Sequence, residues 1–599
     1  MVDLKKKPFC LNENELKWVE NTLKGMSQEE KIKQIFIDMI NTSDPVVIEK
    51  ITKERQFGGA RYGNRPAKML QDQNNALQKN SKIPLIIACN AESGGNGAAA
   101  GGTEVGCGIK IGATGKLKNA YELGHISGLE ASSIGCNMTF APVVDINMNF
   151  HNPIISSRSF GTSAELVRDC SLEYLRGAHD AGIACTAKHF PGDGLDERDQ
   201  HLSYSVNTLS CDEWDKTFGM VYQSLIDAGI EAIMVGHIML PSYQKYFNPH
   251  MTDYDILPAT ISHEILTNLL RDKLNFNGVV ITDASHMVGF TGVKKRSELL
   301  PMAINAGCDM LLFYNDYEED IKYVKDAVEA GIVTEERLNE AVTRILGLKA
   351  HLGLNQKCLI KTEEDLKNFG CEEYKNVAKQ ISHEAITLVK NNQPNVFPVI
   401  PSRYKRILLV PQESTNLLSK FGSMMNKQKN YVEVFKELLE HEGFEVEIFE
   451  SLEKKLEGAS HDDMFRIMNN LYGQKTSIAS IKEKYDLVIH LANVGGNGTV
   501  QRLNWAFTKG SLDVPWYSHE LPVIFISLSC PFHLFDVPEV QTYINAYDKQ
   551  PHTLEAIVDK LVGREEFTGV SPVDAFCGRV ELKFCLLYTS DAADDRISV

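Results

Sequence analysis

From about Glu15 to His351, short and nearly continuous apolar runs alternate with segments of helical period. Near-continuous hydrophobicity over 7–9 residues means a strand buried on both faces, which is the signature of a parallel sheet rather than of a half-solvated antiparallel one. The runs are IPLIIAC (83–89), MTFAPVVD (138–145), GIACTAKHF (182–190), IEAIMVGHI (230–238), FNGVVITD (276–283) and CDMLLFYN (308–315). Between them lie amphipathic stretches such as AELVRDCSLEYLRGAHDAG (164–182) and ISHEILTNLLRDKL (261–274), the second entered through a Pro-Ala-Thr turn. Repeated βα units predict an α/β fold, a (β/α)8 TIM-like barrel enlarged by loops and spanning 1–353.

A second unit is expected after it, because 599 residues exceed what one ordinary core organises. LNQKCLIKTEEDLKN (354–368) reads as a polar linker, followed by a helix from about Glu372, so 354–380 is a linker and connecting helix. The stretch 381–584 then predicts a smaller α/β/α sandwich with strands at 404–411, 444–450, 485–492 and 521–529. The last residues, 585–599, open with CLLYTSDAADD, which resembles a translated sequencing adapter, and are set aside as an artefact tail.

A formal charge of −17 disfavours nucleic acid or an anionic membrane as partner, since both repel an acidic chain at long range. No apolar run reaches the ~18 residues of a membrane span, and the polar N-terminal segment has no signal-peptide core, so a cytoplasmic location is expected. The 13 cysteines are scattered without a C-x-x-C pair and read as reduced packing thiols. No metal site or cofactor motif is indicated: GGNG at 94–97 and 495–498 lacks both the Lys-Ser/Thr ending of a phosphate loop and the GxGxxG spacing, and reads as a tight turn, although Asn493 and Asn497 are also placed to line a sugar-facing loop.

In a barrel, ligands meet the C-terminal ends of the strands, so polar residues that close apolar runs are the candidates. These are Asn90 and Glu92 after IIAC, Lys188 and His189 after IACTA, His237 in AIMVGHIM, and Asp283 after GVVIT. Asp283 has two readings of equal weight, a carboxylate nucleophile at the barrel mouth or the N-cap of a helix beginning in DASHMVGF. In the glycine-rich, charged loop that follows Lys188, Asp199 and His201 lie two apart, close enough for the carboxylate to orient the imidazole for acid/base work. An acidic loop with an incidental histidine fits the same residues. A metal-dependent amidohydrolase would also be a barrel, but the His-x-His after its first strand is missing.

Taken together these segments resemble glycoside hydrolase family 3, over essentially the whole chain up to the tail. WVENTLKGMSQEEKIKQIFI (18–37) resembles the opening helix of that family, NPIISSRSFG (152–161) its arginine-containing substrate loop, and GVVITDASHM (278–287) its nucleophile segment. KHFPGDG followed by Asp-Gln-His is similar to the signature of the β-N-acetylglucosaminidase branch. The resemblance implies a retaining glycosidase for terminal β-linked N-acetylglucosamine: Asp283 as nucleophile, His201 held by Asp199 as acid/base, and Asn90, Arg158, Lys188, His189 and His237 around the sugar. It further implies a small carbohydrate ligand, no cofactor, a monomer or homodimer, and a role such as peptidoglycan turnover. The chain departs from the family pattern at Asn90, where an aspartate is usual, and at Gln200, where serine or threonine is usual. β-Glucosidase activity, phosphorolysis and a degenerate sugar-binding relative are the alternatives.

Overall fold

The computed structural model describes residues 2–356, 360–393, 395–413, 430–450, 456, 458–466, 477–495, 502–503 and 511–578. The tail at 585–599 and Asn497 with most of the second GGNG lie outside the described residues. The chain forms two compact units, one of Met1–Gly108 and Lys116–Ala378, the other of Ile109–Gly115 and the chain from Lys379 onward.

The first unit is a closed barrel of eight parallel strands: β1 (Phe36–Ile40), β2 (Gly59–Tyr62), β3 (Ile86–Cys89), β4 (Met138–Thr139), β5 (Ala184–Phe190), β6 (Ala232–Val235), β7 (Val279–Ala284) and β8 (Met310–Leu312). Each strand neighbours the next in sequence, and β8 closes on β1 with Phe36 opposite Leu311. Ile37, Ile86, Ile87, Ala187, Ile233, Val280 and Ile281 are all fully buried, as strands covered on both faces require. Helix starts follow local chemistry. Ser163 caps Ala164–Asp180 by accepting from the Leu166 N–H, and Thr334 caps Glu335–His351 by accepting from that of Arg337.

Three local expectations need correction. The segment 18–37 is not one helix: Glu13–Gly25 ends at Met26, Ser27 and Glu30 form a capping box that starts Gln28–Gln34, and the chain then enters β1. β1 and β2 are additional to the strands expected from sequence, since FIDMI is interrupted by Asp38 and GARY offers only two apolar side chains. In MTFAPVVD only Met138–Thr139 joins the ladder regularly; Pro142 has no N–H to give, and Val143 bridges Lys188 in isolation.

The second unit is a six-stranded sheet: β9 (Thr387–Asn391), β10 (Arg406–Glu413), β11 (Glu445–Ile448), β12 (Leu487–Asn493), β13 (Val523–Ser527) and β14 (Thr542–Asn545), in the order β9-β14-β13-β12-β10-β11. Only β9 with β14 is antiparallel. One face packs Ile407, Leu409, Ile489 and Ile524 on Phe435, Leu439, Leu554 and Ile557 of the helices Tyr431–His441 and Pro551–Leu561. Val410 and Val488 meet Ile481 and Tyr517 in a separate cluster. Ile109–Gly115 joins this unit through Lys110, whose fully buried ammonium donates to Ser382 Oγ (2.7 Å), Asp548 Oδ2 (2.5 Å) and Thr553 Oγ1 (3.1 Å).

Candidate active site

At the C-terminal ends of the barrel strands, side chains from β5 and β7 and from the loops after β3, β4 and β5 form a charged cluster. Asp283 lies within β7 and is 9% exposed. The helix that follows is Val288–Thr291 with Met287 at its N-cap, so Asp283 is not a helix cap; its Oδ1 accepts the next N–H, that of Ala284, at 2.7 Å. Burial alone pushes this carboxyl up, but the imidazoles of His189, His237 and His201 and the Ala284 N–H together hold it below its ordinary value. Asp283 is therefore an ionised, largely desolvated carboxylate.

His201 sits on the loop after β5. Its Nδ1 is 2.6 Å from Asp199 Oδ1, which also accepts the His201 main-chain N–H at 2.8 Å. A carboxylate can only accept, so Nδ1 carries a proton and Nε2 is the titrating nitrogen. The Asp199 hydrogen bond, outweighing partial burial, raises the His201 pKa above its usual value. The imidazole is 44% exposed while Asp199, which orients it, is 7% exposed.

Three further residues form one ionic knot. Arg158 grips Glu92 through Nε to Oε2 (2.8 Å) and a second guanidinium N–H to Oε1 (2.9 Å), and Lys188 Nζ meets the same Oε1 at 2.6 Å. Against burial, these two cations hold Glu92 far below the carboxylate range, whereas burial drives the Lys188 amine down. Arg158 stands on a loop pinned to the end of β4, where Ser159 Oγ donates to the Asp145 carbonyl (2.7 Å) and Asn147 Nδ2 to that of Ser156 (2.7 Å). His189 Nδ1 lies 2.7 Å from Asp145 Oδ2, so its Nε2 is the free nitrogen. The neighbouring Asp193 donates its N–H to Asp145 Oδ1 (2.8 Å), and its own carboxyl is pushed up to about 6 by burial and by the Asp145 charge.

Two sequence-derived candidates take no part in the ionic knot. His237 is fully buried, with Nε2 3.2 Å from the Ala284 carbonyl and Nδ1 2.8 Å from Thr260 Oγ1, so both nitrogens have protein partners, and burial lowers its pKa. Asn90 is exposed and meets Arg61 Nε through Oδ1 at 3.4 Å. Asp145 is absent from the sequence-derived set although it ends MTFAPVVD as Asp283 ends GVVITD, and the same signal finds both. Arg61 carries no such signal, since β2 is too short and too polar. Gly94–Gly97 forms a tight turn with Gly94 at φ +130° and a 3-10 helix over Gly95–Gly97. Among the described residues no group of three His, Cys, Asp or Glu is arranged to hold a metal ion, and no helix is long and apolar enough to cross a membrane.

A barrel whose strand ends gather an ionised carboxylate, a proton-carrying imidazole and an Arg–Glu–Lys knot has the groups that glycosidic chemistry needs. The sequence matches the glycosyl hydrolase family 3 N-terminal domain over residues 27–348. It is 39% identical over 583 residues to the β-N-acetylglucosaminidase/β-glucosidase of Cellulomonas fimi, with 97% of this chain and 99% of that protein covered. Among solved structures it is similar to a β-glucoside phosphorylase bound to 2FGlc (TM-score 0.87, 38% identity, 96% of this chain and 99% of that one). It is also similar to a family 3 β-N-acetylglucosaminidase from Paenibacillus sp. str. FPU-7 (TM-score 0.75, 25% identity, 92% and 100%). The chain belongs to glycoside hydrolase family 3 and is a glycosidase.

Proposed function

We propose that this glycosidase works by double displacement on terminal β-linked N-acetylglucosamine, with β-glucosides as second substrates. The observation that carries the proposal is a nearly buried Asp283 carboxylate on β7 with the imidazoles of His189, His237 and His201 around it, the last of these oriented by Asp199 at 2.6 Å. In the first step Asp283 attacks the anomeric carbon while His201 Nε2 delivers its proton to the departing oxygen; in the second, neutral His201 takes a proton from the incoming water. Arg158, Lys188 and His189 bind sugar hydroxyls, and Asn90 does so without the charge that an aspartate would bring. The names of the relatives support both sugars.

Phosphate is the favoured alternative acceptor, supported by the likeness to a β-glucoside phosphorylase across the whole chain. A histidine in the acid/base role does not repel an entering anion, whereas a carboxylate ~4 Å away would cost roughly 1–4 kcal/mol. Intracellular muropeptide or chitin fragments, as in peptidoglycan turnover, are the substrates we favour.

Nitrophenol release from the aryl N-acetyl-β-glucosaminide and β-glucoside, with and without phosphate and with the released sugar identified, tests this. The parent chain should turn over both, and Asp283→Ala should lose about 10⁴-fold or more. Phosphate should replace free sugar by sugar 1-phosphate. A parent chain inert on both glycosides, or an Asp283→Ala variant that keeps its rate, contradicts the proposal.

A further inference from the structure

The residue between the two members of the Asp199/His201 pair is fully buried, although the loop that carries it is charged and partly exposed. Gln200 turns its amide inward. Oε1 accepts the His237 main-chain N–H at 2.8 Å, and Nε2 points at Asp193 Oδ2 from 3.4 Å. Its main-chain carbonyl accepts the Gly289 N–H at 3.2 Å, and that of His201 accepts the Val288 N–H at 3.0 Å. The loop is thereby tied at one point to the end of β6, to the Pro-Gly-Asp turn after β5, and to the first residues after the Asp283 strand.

Two glycines make this attachment sterically possible. A Cβ at Gly289 would lie 2.6 Å from the Gln200 carbonyl oxygen and 2.9 Å from that of Ser203, both backbone atoms that cannot swing aside. A Cβ at Gly236 would come within 3.0 Å of Gln200 Oε1 and 3.2 Å of the His189 Cβ. Only a side chain that accepts at one atom and points a donor from another, at this reach, satisfies both ends.

We infer that Gln200 is a positioning residue, a latch that sets where the His201 imidazole stands relative to Asp283 and so controls proton delivery to the leaving group. His201 touches the reaction; Gln200 acts through it. Loss of the latch should leave the nucleophile and the sugar-binding groups in place while the proton donor drifts. Displacement by about 1 Å of a group that must be aligned costs on the order of 10²-fold.

The inference rests on the double-displacement reading, and leaving-group dependence separates the two. A dinitrophenolate departs without a proton, a phenolate or alkoxide needs one, and kcat/KM reports only the first displacement. In Gln200→Met, kcat/KM for phenyl and methyl glycosides should fall on the order of 10²-fold while that for the dinitrophenyl glycoside falls less than about 3-fold. Gly289→Ala, whose Cβ would press on the Gln200 and Ser203 carbonyl oxygens without altering the Gln200 side chain, should show the same selective loss. Equal losses on all leaving groups, or no loss, in both variants would overturn the latch while leaving an inactive Asp283→Ala to support the nucleophile. An Asp283→Ala that stays active would overturn the reading beneath it.

Discussion

At the scale of single residues, the proposed mechanism assigns two duties to groups of different burial. Asp283 and Asp199 are buried, whereas the His201 imidazole is 44% exposed. The Asp199 hydrogen bond is the largest influence on the His201 pKa and raises it. A folded value above 6.5 means that the proton-donating form persists to higher pH than in a free histidine. Replacing Asp199 by asparagine keeps an acceptor for Nδ1–H but removes the charge, so the basic limb of the kcat/KM profile should move to lower pH, toward ~6.5. A basic limb that stays where it is in Asp199→Asn would detach His201 from the proton transfer. The Asp199/His201 pair was legible in sequence because its two members are neighbours in the chain. The knot of Glu92 with Arg158 and Lys188 was not, because those residues come from three separate segments and meet only once the barrel has closed.

At the scale of elements, helices on the far side of the barrel strands are fastened by a different cluster. His179, in the last turn of Ala164–Asp180, lies 2.8 Å from Glu231 Oε1, and His351, at the end of Glu335–His351, lies 3.7 Å from the same oxygen. Glu231 immediately precedes β6 and also accepts the Cys185 main-chain N–H (3.0 Å). Burial opposes its charge, but the two histidines bring its pKa down to about 2. His179 rises against burial through its Glu231 bond, and His351 rises chiefly through its own. Raised histidines contribute stability that is complete below their unfolded value near 6.5 and fades as pH climbs through the folded values. The depressed carboxylate contributes above its unfolded value of 4.5 and loses that as pH falls toward about 2. The melting-temperature difference between the parent and Glu231→Gln should therefore be largest between pH ~4.5 and ~6.5 and narrow above it. A difference that is flat with pH would show that these charges do not fasten the helices. Of these helices, Ala164–Asp180 was readable from its apolar periodicity. β1, β2, β9 and β14 were not: their strand character comes from neighbours in the sheet rather than from their own four or five residues.

At the scale of the molecule, the alternation of apolar runs with helical segments pointed to parallel strands buried on both faces, and the number of such units before residue 353 pointed to a barrel. It could not foretell that Ile109–Gly115 leaves the first unit for the second. That excursion depends on Lys110 finding Ser382, Asp548 and Thr553, more than 270 residues away along the chain. Within the family, the same barrel carries relatives with glucosidase, N-acetylglucosaminidase and phosphorylase names, so activity is set by strand-end side chains and loops rather than by the fold. The proposed double displacement requires one covalent bond, between Asp283 and the anomeric carbon. Incubation with a 2-deoxy-2-fluoro-β-glycosyl donor bearing an activated leaving group, followed by proteolysis and mass spectrometry, tests it directly. One sugar per chain should be found on the peptide containing GVVITDASHM, at Asp283, and should be released faster when phosphate is added. An unlabelled chain, or a label on Asp145 or Asp193 instead, would contradict the account.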